Sequence, residues 1–194
     1  GLAFAANGFL YVADLGNRRI RQISPAGEVT TVAGSGGYGS ADGPASAATF
    51  GAPAALAFDG AGNLIVADPA YSNLRVIATD GQVTTLAGGS PAGYIDGPAT
   101  MAVARINRPT SLGFGADGSM LVTNAGDGTL SRISESGILT ERYGNGVLGY
   151  PTGLSVATDG NVYLADRAGH AVKKVGTDGV VTTVAGEGSA AFSD

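Results

Sequence analysis

The apolar residues of this chain come in short runs broken by glycine, asparagine and aspartate, and the runs recur in a fixed order. The first segment reads GLAFAA, ALAFDG, SLGFGA or GLSVAT, with marker residues Leu2, Leu56, Leu112 and Leu154 separated by 54, 56 and 42 residues. A turn follows (Ala6-Asn7-Gly8, Ala61-Gly62-Asn63, Asp117-Gly118-Ser119, Asp159-Gly160-Asn161), then a second run, FLYVAD, LIVAD, MLVTN or VYLAD. A third segment surrounds Ile20, Val76, Ile133 or Val172. A tight turn ending in Gly27, Gly81, Gly137 or Gly179 leads to the fourth, EVTTVAG, QVTTLAG, ILTERYG or VVTTVAG. Beyond the fourth segment the pattern persists: Val29 to Phe50 returns as Val83 to Val103 and starts again as Val181 to Asp194. A period of this size marks a solenoid, a propeller or an array.

Four short strands joined by Gly, Asn and Asp turns predict an antiparallel meander, because glycine adopts positive φ without strain and the loops are of hairpin length. The second run is apolar on both faces, as in Phe9-Leu10-Tyr11-Val12-Ala13, whereas a sheet with one wet face would alternate. Both faces therefore need cover, which a neighbouring blade on each side supplies. The expected fold is all-β: a β-propeller of four-stranded antiparallel blades in a single domain over 1–194, with repeats at about 1–54, 55–110, 111–152 and 153–194.

Composition narrows the picture. Glycine is 33 of 194 residues, more than twice its usual share of ~7 %, but it sits at turns and repeat junctions rather than in a low-complexity run. An apolar content of 44 % supports a packed core. With no cysteine, disulfides and thiolate metal sites are excluded. A net charge of −5, with 11 scattered basic residues, argues against nucleic acid as a partner. No apolar run is long enough for a membrane helix, so membrane insertion is not expected. The start at Gly1 lacks a methionine and a basic leader and falls inside a repeat, which suggests that an upstream part was removed.

The segments Gly-Leu-Ala-Phe, Leu10-Tyr11-Val12-Ala13-Asp14, Asn17-Arg18-Arg19-Ile20-Arg21-Gln22-Ile23 and Val29-Thr30-Thr31-Val32-Ala33-Gly34 together resemble the NHL repeat. Later copies carry Leu64-Ile65-Val66-Ala67-Asp68 with Asn73-Leu74-Arg75-Val76-Ile77, and Val162-Tyr163-Leu164-Ala165-Asp166 with Val172-Lys173-Lys174-Val175. The third copy departs from the pattern at Leu121-Val122-Thr123-Asn124 and Glu141-Arg142-Tyr143. The resemblance implies an NHL-type β-propeller, a family whose complete members usually have six blades. With four NHL-type repeats visible, three readings stay open: a piece of a longer propeller, a self-contained four-bladed ring, or a partial ring completed by another copy through its open blade edges. Each requires closure or partnering, since an open arc exposes apolar blade faces.

In this class the connectors from fourth to first strand and the loops between second and third strands gather on one rim. Its residues include Tyr38, Asp42, Phe50, Tyr94, Asp96, Met101, Tyr143 and Asn145. Residues that recur from blade to blade, such as Asp42, Asp96, Phe50 and Tyr94, read as loop anchors; those that differ read as binding residues. By that test the ligand-binding candidates are Asn107, Arg108, Thr110, Tyr150 and Thr152, aromatic and cationic groups suited to a protein or glycan partner.

Asp14, Asp68, Asn124 and Asp166 hold one place in every repeat. They are candidates for a ring of oxygen ligands around Ca²⁺, or each accepts backbone hydrogen bonds from its own turn; the second is the favoured role. The resemblance also brings in enzymes. Amidating lyases of NHL type hold Zn²⁺ on several histidines, and this chain has one, His170, at a place aligned with Asn17, Asn73 and Gly128. Six-bladed lactonases resembling gluconolactonase hold a divalent ion on Glu, Asn and Asp near the axis, whereas Glu28, Glu135, Glu141 and Glu187 fall at or near fourth strands or their turns. The expected function is a non-enzymatic binding or scaffold module with no obligatory cofactor. The alternative is a metal-dependent hydrolase or lyase with part of its site outside this chain. The small-residue, lysine-poor composition suggests a bacterial, secreted, periplasmic or cell-surface protein.

Overall fold

The structure, a computed structural model, describes residues 1–89, 106–133, 139–186 and 188–190. It consists of four antiparallel sheets in chain order. The first holds β1 (Leu2–Phe4), β2 (Leu10–Asp14), β3 (Arg19–Ile23) and β4 (Val29–Ala33). After β5 (Gly43–Pro44), the second holds β6 (Ala55–Phe58), β7 (Leu64–Asp68), β8 (Asn73–Ile77) and β9 (Gln82–Gly88). The third is β10 (Pro109–Phe114), β11 (Met120–Asn124), β12 (Thr129–Ile133) and β13 (Leu139–Tyr143). The fourth is β14 (Pro151–Val156), β15 (Val162–Asp166), β16 (Ala171–Val175) and β17 (Val181–Ala185). Each is a propeller blade with neighbouring strands paired in sequence order, as the turn chemistry predicts.

Hydrophobic packing lies between blades. Ile20, Phe50, Leu56 and Val66 pack between the first and second, Leu74, Leu112, Met120 and Val122 between the second and third, and Leu121, Leu130, Leu164 and Val175 between the third and fourth. Burying each such side chain contributes about 1.5–3 kcal/mol. Second strands flanked on both sides, β7 and β11, are buried at every residue, while β2 of the first blade is partly exposed throughout. Among the described residues, no strand of the fourth blade packs closely on a strand of the first. Leu2 (63 % exposed) and Phe4 (73 %) on one end, and Val172, Val180 and Val184 on the other, face solvent.

One element is not legible in the repeat pattern. Gly43–Pro44, within the connector that leaves the first blade, adds to the outer edge of β9 as a fifth strand, with Gly43 opposite Val83 and Pro44 opposite Gln82. Proline is tolerated on such an edge because no further strand needs its missing N–H. The connector is therefore a strap across the second blade rather than a free loop.

The terminal glycine of the fourth segment is set by a close approach. Gly88 has φ +83, and a Cβ there would lie 2.1 Å from the Ser72 carbonyl oxygen. Gly34 and Gly186 stand in the same relation to the carbonyls of Arg18 and His170, at 2.6 and 2.2 Å. Fourth strand and second-to-third loop thus touch backbone to backbone, which any side chain would prevent.

Candidate functional site

Because the strands alternate in direction, the second-to-third loops and the fourth-to-first connectors share one end of every blade. Each of these loops turns on a left-handed residue: Arg18 (φ 53), Ser72 (φ 50), Gly128 (φ 63) and His170 (φ 43). The loop geometry corrects the alignment of His170, which stands with Arg18, Ser72 and Gly128, one position on from Asn17. Sequence spacing misled because Asn17 and Asn73 look alike while lying on either side of this position, Asn17 matching Tyr71 and Asn73 matching Arg19. Left-handed backbone is unfavourable for most side chains, so these positions are constrained; of their side chains His170 is exposed, Arg18 half-buried and Ser72 buried.

At two of the Ala-Asp positions the aspartate anchors the incoming connector. The buried Asp68 carboxylate accepts hydrogen bonds from the backbone N–H groups of Gly51 (2.6 Å), Ala52 (2.9 Å) and Ala70 (3.2 Å). Asp166 does the same for Gly149, Tyr150 and Gly169, at 2.8–3.2 Å. Burial pushes the Asp166 carboxyl up, but the three amides outweigh it and hold it below the usual carboxylate range. Asp14 is also lowered, chiefly by the side-chain amide of Asn17 at 2.9 Å. Asn124 instead donates from Nδ2 to Ser131 Oγ at 2.7 Å and Thr129 Oγ1 at 3.3 Å. Among the described residues, no three His, Asp or Glu side chains come together as a metal-binding group.

The five rim candidates fall next to one another where the third blade meets the fourth. The Arg108 guanidinium lies 5.8 Å from the Tyr150 ring centre and donates to its hydroxyl at 3.3 Å. Arg108 is itself held by its backbone N–H, which donates to Ser72 Oγ at 3.1 Å. Thr110 turns inward, its Oγ1 donating to the Pro151 carbonyl at 2.7 Å and so joining the two blades. Thr152 Oγ1 donates to the Ala165 carbonyl at 3.3 Å. The Asn107 carbonyl accepts the Gly126 N–H at 3.1 Å, and its side chain packs over Gly126, where a Cβ would lie 2.2 Å from Asn107 Oδ1. Arg108 and Tyr150 form the outward-facing part of the group; the other three spend their polar atoms or side chains within the rim.

A second cluster lies between the first and second blades. The Arg18 guanidinium is 5.5 Å from the Tyr38 ring centre, and Tyr38, 62 % exposed, lies 5.3 Å from Tyr71. Burial, then proximity to Tyr38, raises the Tyr71 phenol. Tyr71 escaped the sequence reading although its signal was present: it occupies a loop place where the other blades carry Asn17, Asp127 and Gly169.

Of the recurring residues, Asp42 and Phe50 hold the connector in place. Phe50 is wholly buried, and Asp42 accepts hydrogen bonds from Arg75 Nη2 (2.8 Å), Thr85 N (3.1 Å) and Thr85 Oγ1 (3.0 Å). Tyr94, Asp96, Met101, Glu135, Glu187 and Asp194 lie outside the described residues. At the opposite end from the rim, a cleft of about 680 Å³ between the second and third blades is lined largely by Phe58, Ile65, Val76, Phe114, Met120 and Ile133. Asp59 at its mouth is engaged by its own turn, accepting from Ala61 N, Asn63 N and Asn63 Nδ2 at 2.8–2.9 Å.

The profile of the NHL repeat matches residues 148–175, which cover the end of the connector into the fourth blade and β14 to β16. No curated protein matches the sequence. Among solved structures, a streptogramin B lyase aligns over 94 % of this chain and 52 % of its own, with 17 % identity and a TM-score of 0.68. A virginiamycin B lyase from Staphylococcus aureus aligns over 94 % and 53 %, with 17 % identity and a TM-score of 0.67. A protein assigned as a gluconolactonase aligns over 94 % and 61 %, with 18 % identity and a TM-score of 0.70. The chain thus carries an NHL repeat within a β-propeller fold and spans about half the length of the two lyases.

Proposed function

We propose that this chain is a binding module that presents its rim to a protein or glycan partner, with no catalysis of its own. The observation that carries this reading is the pairing of Arg18 with Tyr38 and Tyr71, and of Arg108 with Tyr150, on the end of the blades where the connectors meet. Aromatic faces beside guanidinium groups suit stacking on sugar rings or anchoring of a protein surface, and Arg and Tyr are enriched where interfaces concentrate their energy. Rigid blades below hold the loops, so little ordering cost remains at binding. A secreted, periplasmic or surface location belongs to the same reading.

The rival is a metal-dependent hydrolase or lyase, which the lyases and the gluconolactonase among the structural neighbours favour. One set of measurements separates the two: a glycan array with the purified chain, chemical cross-linking to candidate protein partners, and metal content by mass spectrometry. Saturable binding that weakens at least tenfold in Tyr38→Ala or Tyr150→Ala supports the module. A stoichiometric divalent ion together with lactone hydrolysis or lyase activity overturns it.

A further inference from the structure

The strap across the second blade is held by a defined set of groups. Arg75, wholly buried, donates through Nη2 to Asp42 Oδ1 (2.8 Å) and the Ala41 carbonyl (2.9 Å), and through Nη1 to the Thr49 carbonyl (3.0 Å). Asp42 also takes the backbone N–H and hydroxyl of Thr85, which lies opposite Arg75 in the sheet. Gly43–Pro44 then lines the edge of β9, and Asp68 receives the strap's far end through Gly51 N and Ala52 N.

The first blade repeats the receiving half of this arrangement at the same register. Arg21 lies opposite Thr31, as Arg75 lies opposite Thr85, with the same irregularity just before it, and Asp14 holds the place of Asp68. Without a strap, these groups hold one another. Arg21 Nε donates to Asp14 Oδ2 at 3.3 Å, Arg21 Nη1 bonds Thr31 Oγ1, and Asp14 takes the side-chain amide of Asn17. Arg21 is 29 % exposed where Arg75 is 0 % exposed, and β4 remains an edge strand with Val29 60 % exposed. The fourth blade supplies a contrast. Its incoming connector, 144–150, contains no Asp-Gly-Pro, and the equivalent residue is Lys173, satisfied by Thr183 Oγ1 at 2.8 Å.

We propose that Asp14, Arg21 and Thr31 form a socket for the connector of a preceding blade, an extended Asp-Gly-Pro segment with an aromatic residue eight positions after the aspartate. The aspartate seats between Arg21 and Thr31, the Gly-Pro pair lines β4, and two backbone N–H groups near the segment's end replace Asn17 on Asp14. The inference is independent of what the rim binds: it concerns how this arc joins its neighbour.

The test is a graft. The sequence of residues 39–54 is placed directly before Gly1, which holds the position of Ala55 in its own blade. The expected result is a rise in Tm of roughly 2–4 °C, together with slowed hydrogen exchange at the Thr31 amide. Both gains should vanish when the grafted aspartate is replaced by asparagine, or when Arg21→Ala is made in the grafted chain. In the ungrafted chain Arg21→Ala should shift Tm far less, which keeps the comparison valid if the variant is slightly destabilised. An unchanged Tm on grafting, or a gain that survives Arg21→Ala, overturns the proposal.

Discussion

The guanidinium of Arg75 lies 5.4 Å from the ring centre of Phe50, and both side chains are wholly buried. This pair pins the strap to the second blade: the ring closes one face of the cation while Asp42 and two backbone carbonyls take its protons. Removing the guanidinium takes a donor from both carbonyls, leaving the Ala41 carbonyl only the Thr49 N–H at 3.2 Å, and uncovers Phe50. Arg75→Ala is expected to lower unfolding free energy by about 2–4 kcal/mol. Arg75→Lys should restore little of this, because a single ammonium cannot reach acceptors spread along a planar fork. Urea denaturation of the two variants measures both.

Gly88→Ala should be among the most damaging small substitutions in the chain. It combines φ +83 with a Cβ placed 2.1 Å from the Ser72 carbonyl and 2.8 Å from Asn73 Cα. A loss above about 2 kcal/mol is expected. Gly60→Ala is the control: nothing lies within 4 Å of its Cβ position, and reduced freedom of the unfolded chain should leave stability unchanged or raised by up to about 1 kcal/mol. Thermal scans of both variants against the parent chain give the comparison.

Asp117 links acid stability to one turn. The Ser119 hydroxyl, donating at 2.6 Å, the Ser119 backbone N–H and the Arg132 guanidinium together hold the Asp117 carboxyl at about 2, below the ordinary value of 3.8. A folded-state pKa depressed in this way stabilises the protein above the unfolded value, and the contribution is lost as pH falls from 3.8 towards 2. Asp117→Asn should therefore flatten the fall of Tm across that interval and lower Tm at neutral pH. A Tm series from pH 7 to pH 2 reads both effects.

Asp68 and Asp166 give opposite expectations for their two roles. As anchors they already accept backbone N–H groups at 2.6–3.2 Å, so chelation with EDTA should leave Tm unchanged. Asp68→Ala would orphan the Gly51 and Ala52 amides at a cost of about 2–4 kcal/mol. A Tm that falls with EDTA and recovers with Ca²⁺ would establish the ion-binding role instead.

Much of this protein could be read from its sequence because the relevant physics is local. The four-strand blades follow from apolar runs of strand length and from turn residues such as Asn7-Gly8 and Gly160-Asn161, which act within a few positions of themselves. The doubly apolar second strand announced cover on both faces, and β7 and β11 have it. The repeated aspartates were legible as a recurring place in the blade, but their partners were not: Asp68 and Asp166 take N–H groups of the incoming connector, whereas Asp14 takes the side chains of Asn17 and Arg21.

What only the tertiary structure decided involves residues that meet across blades. Arg108 reaches Tyr150, Arg18 and Tyr71 close around Tyr38, and Asp42 crosses to Arg75 and Thr85 on the next blade. The repeat pattern fixes the order of strands along the chain, but not which side chains lie together where one blade packs on the next. That depends on the path of each connector, and those paths differ: one lays Gly43–Pro44 along a sheet edge, while another runs from Gly144 to Tyr150 without such a strand. Repetition encodes the scaffold, whereas packing between unequal connectors creates the rim.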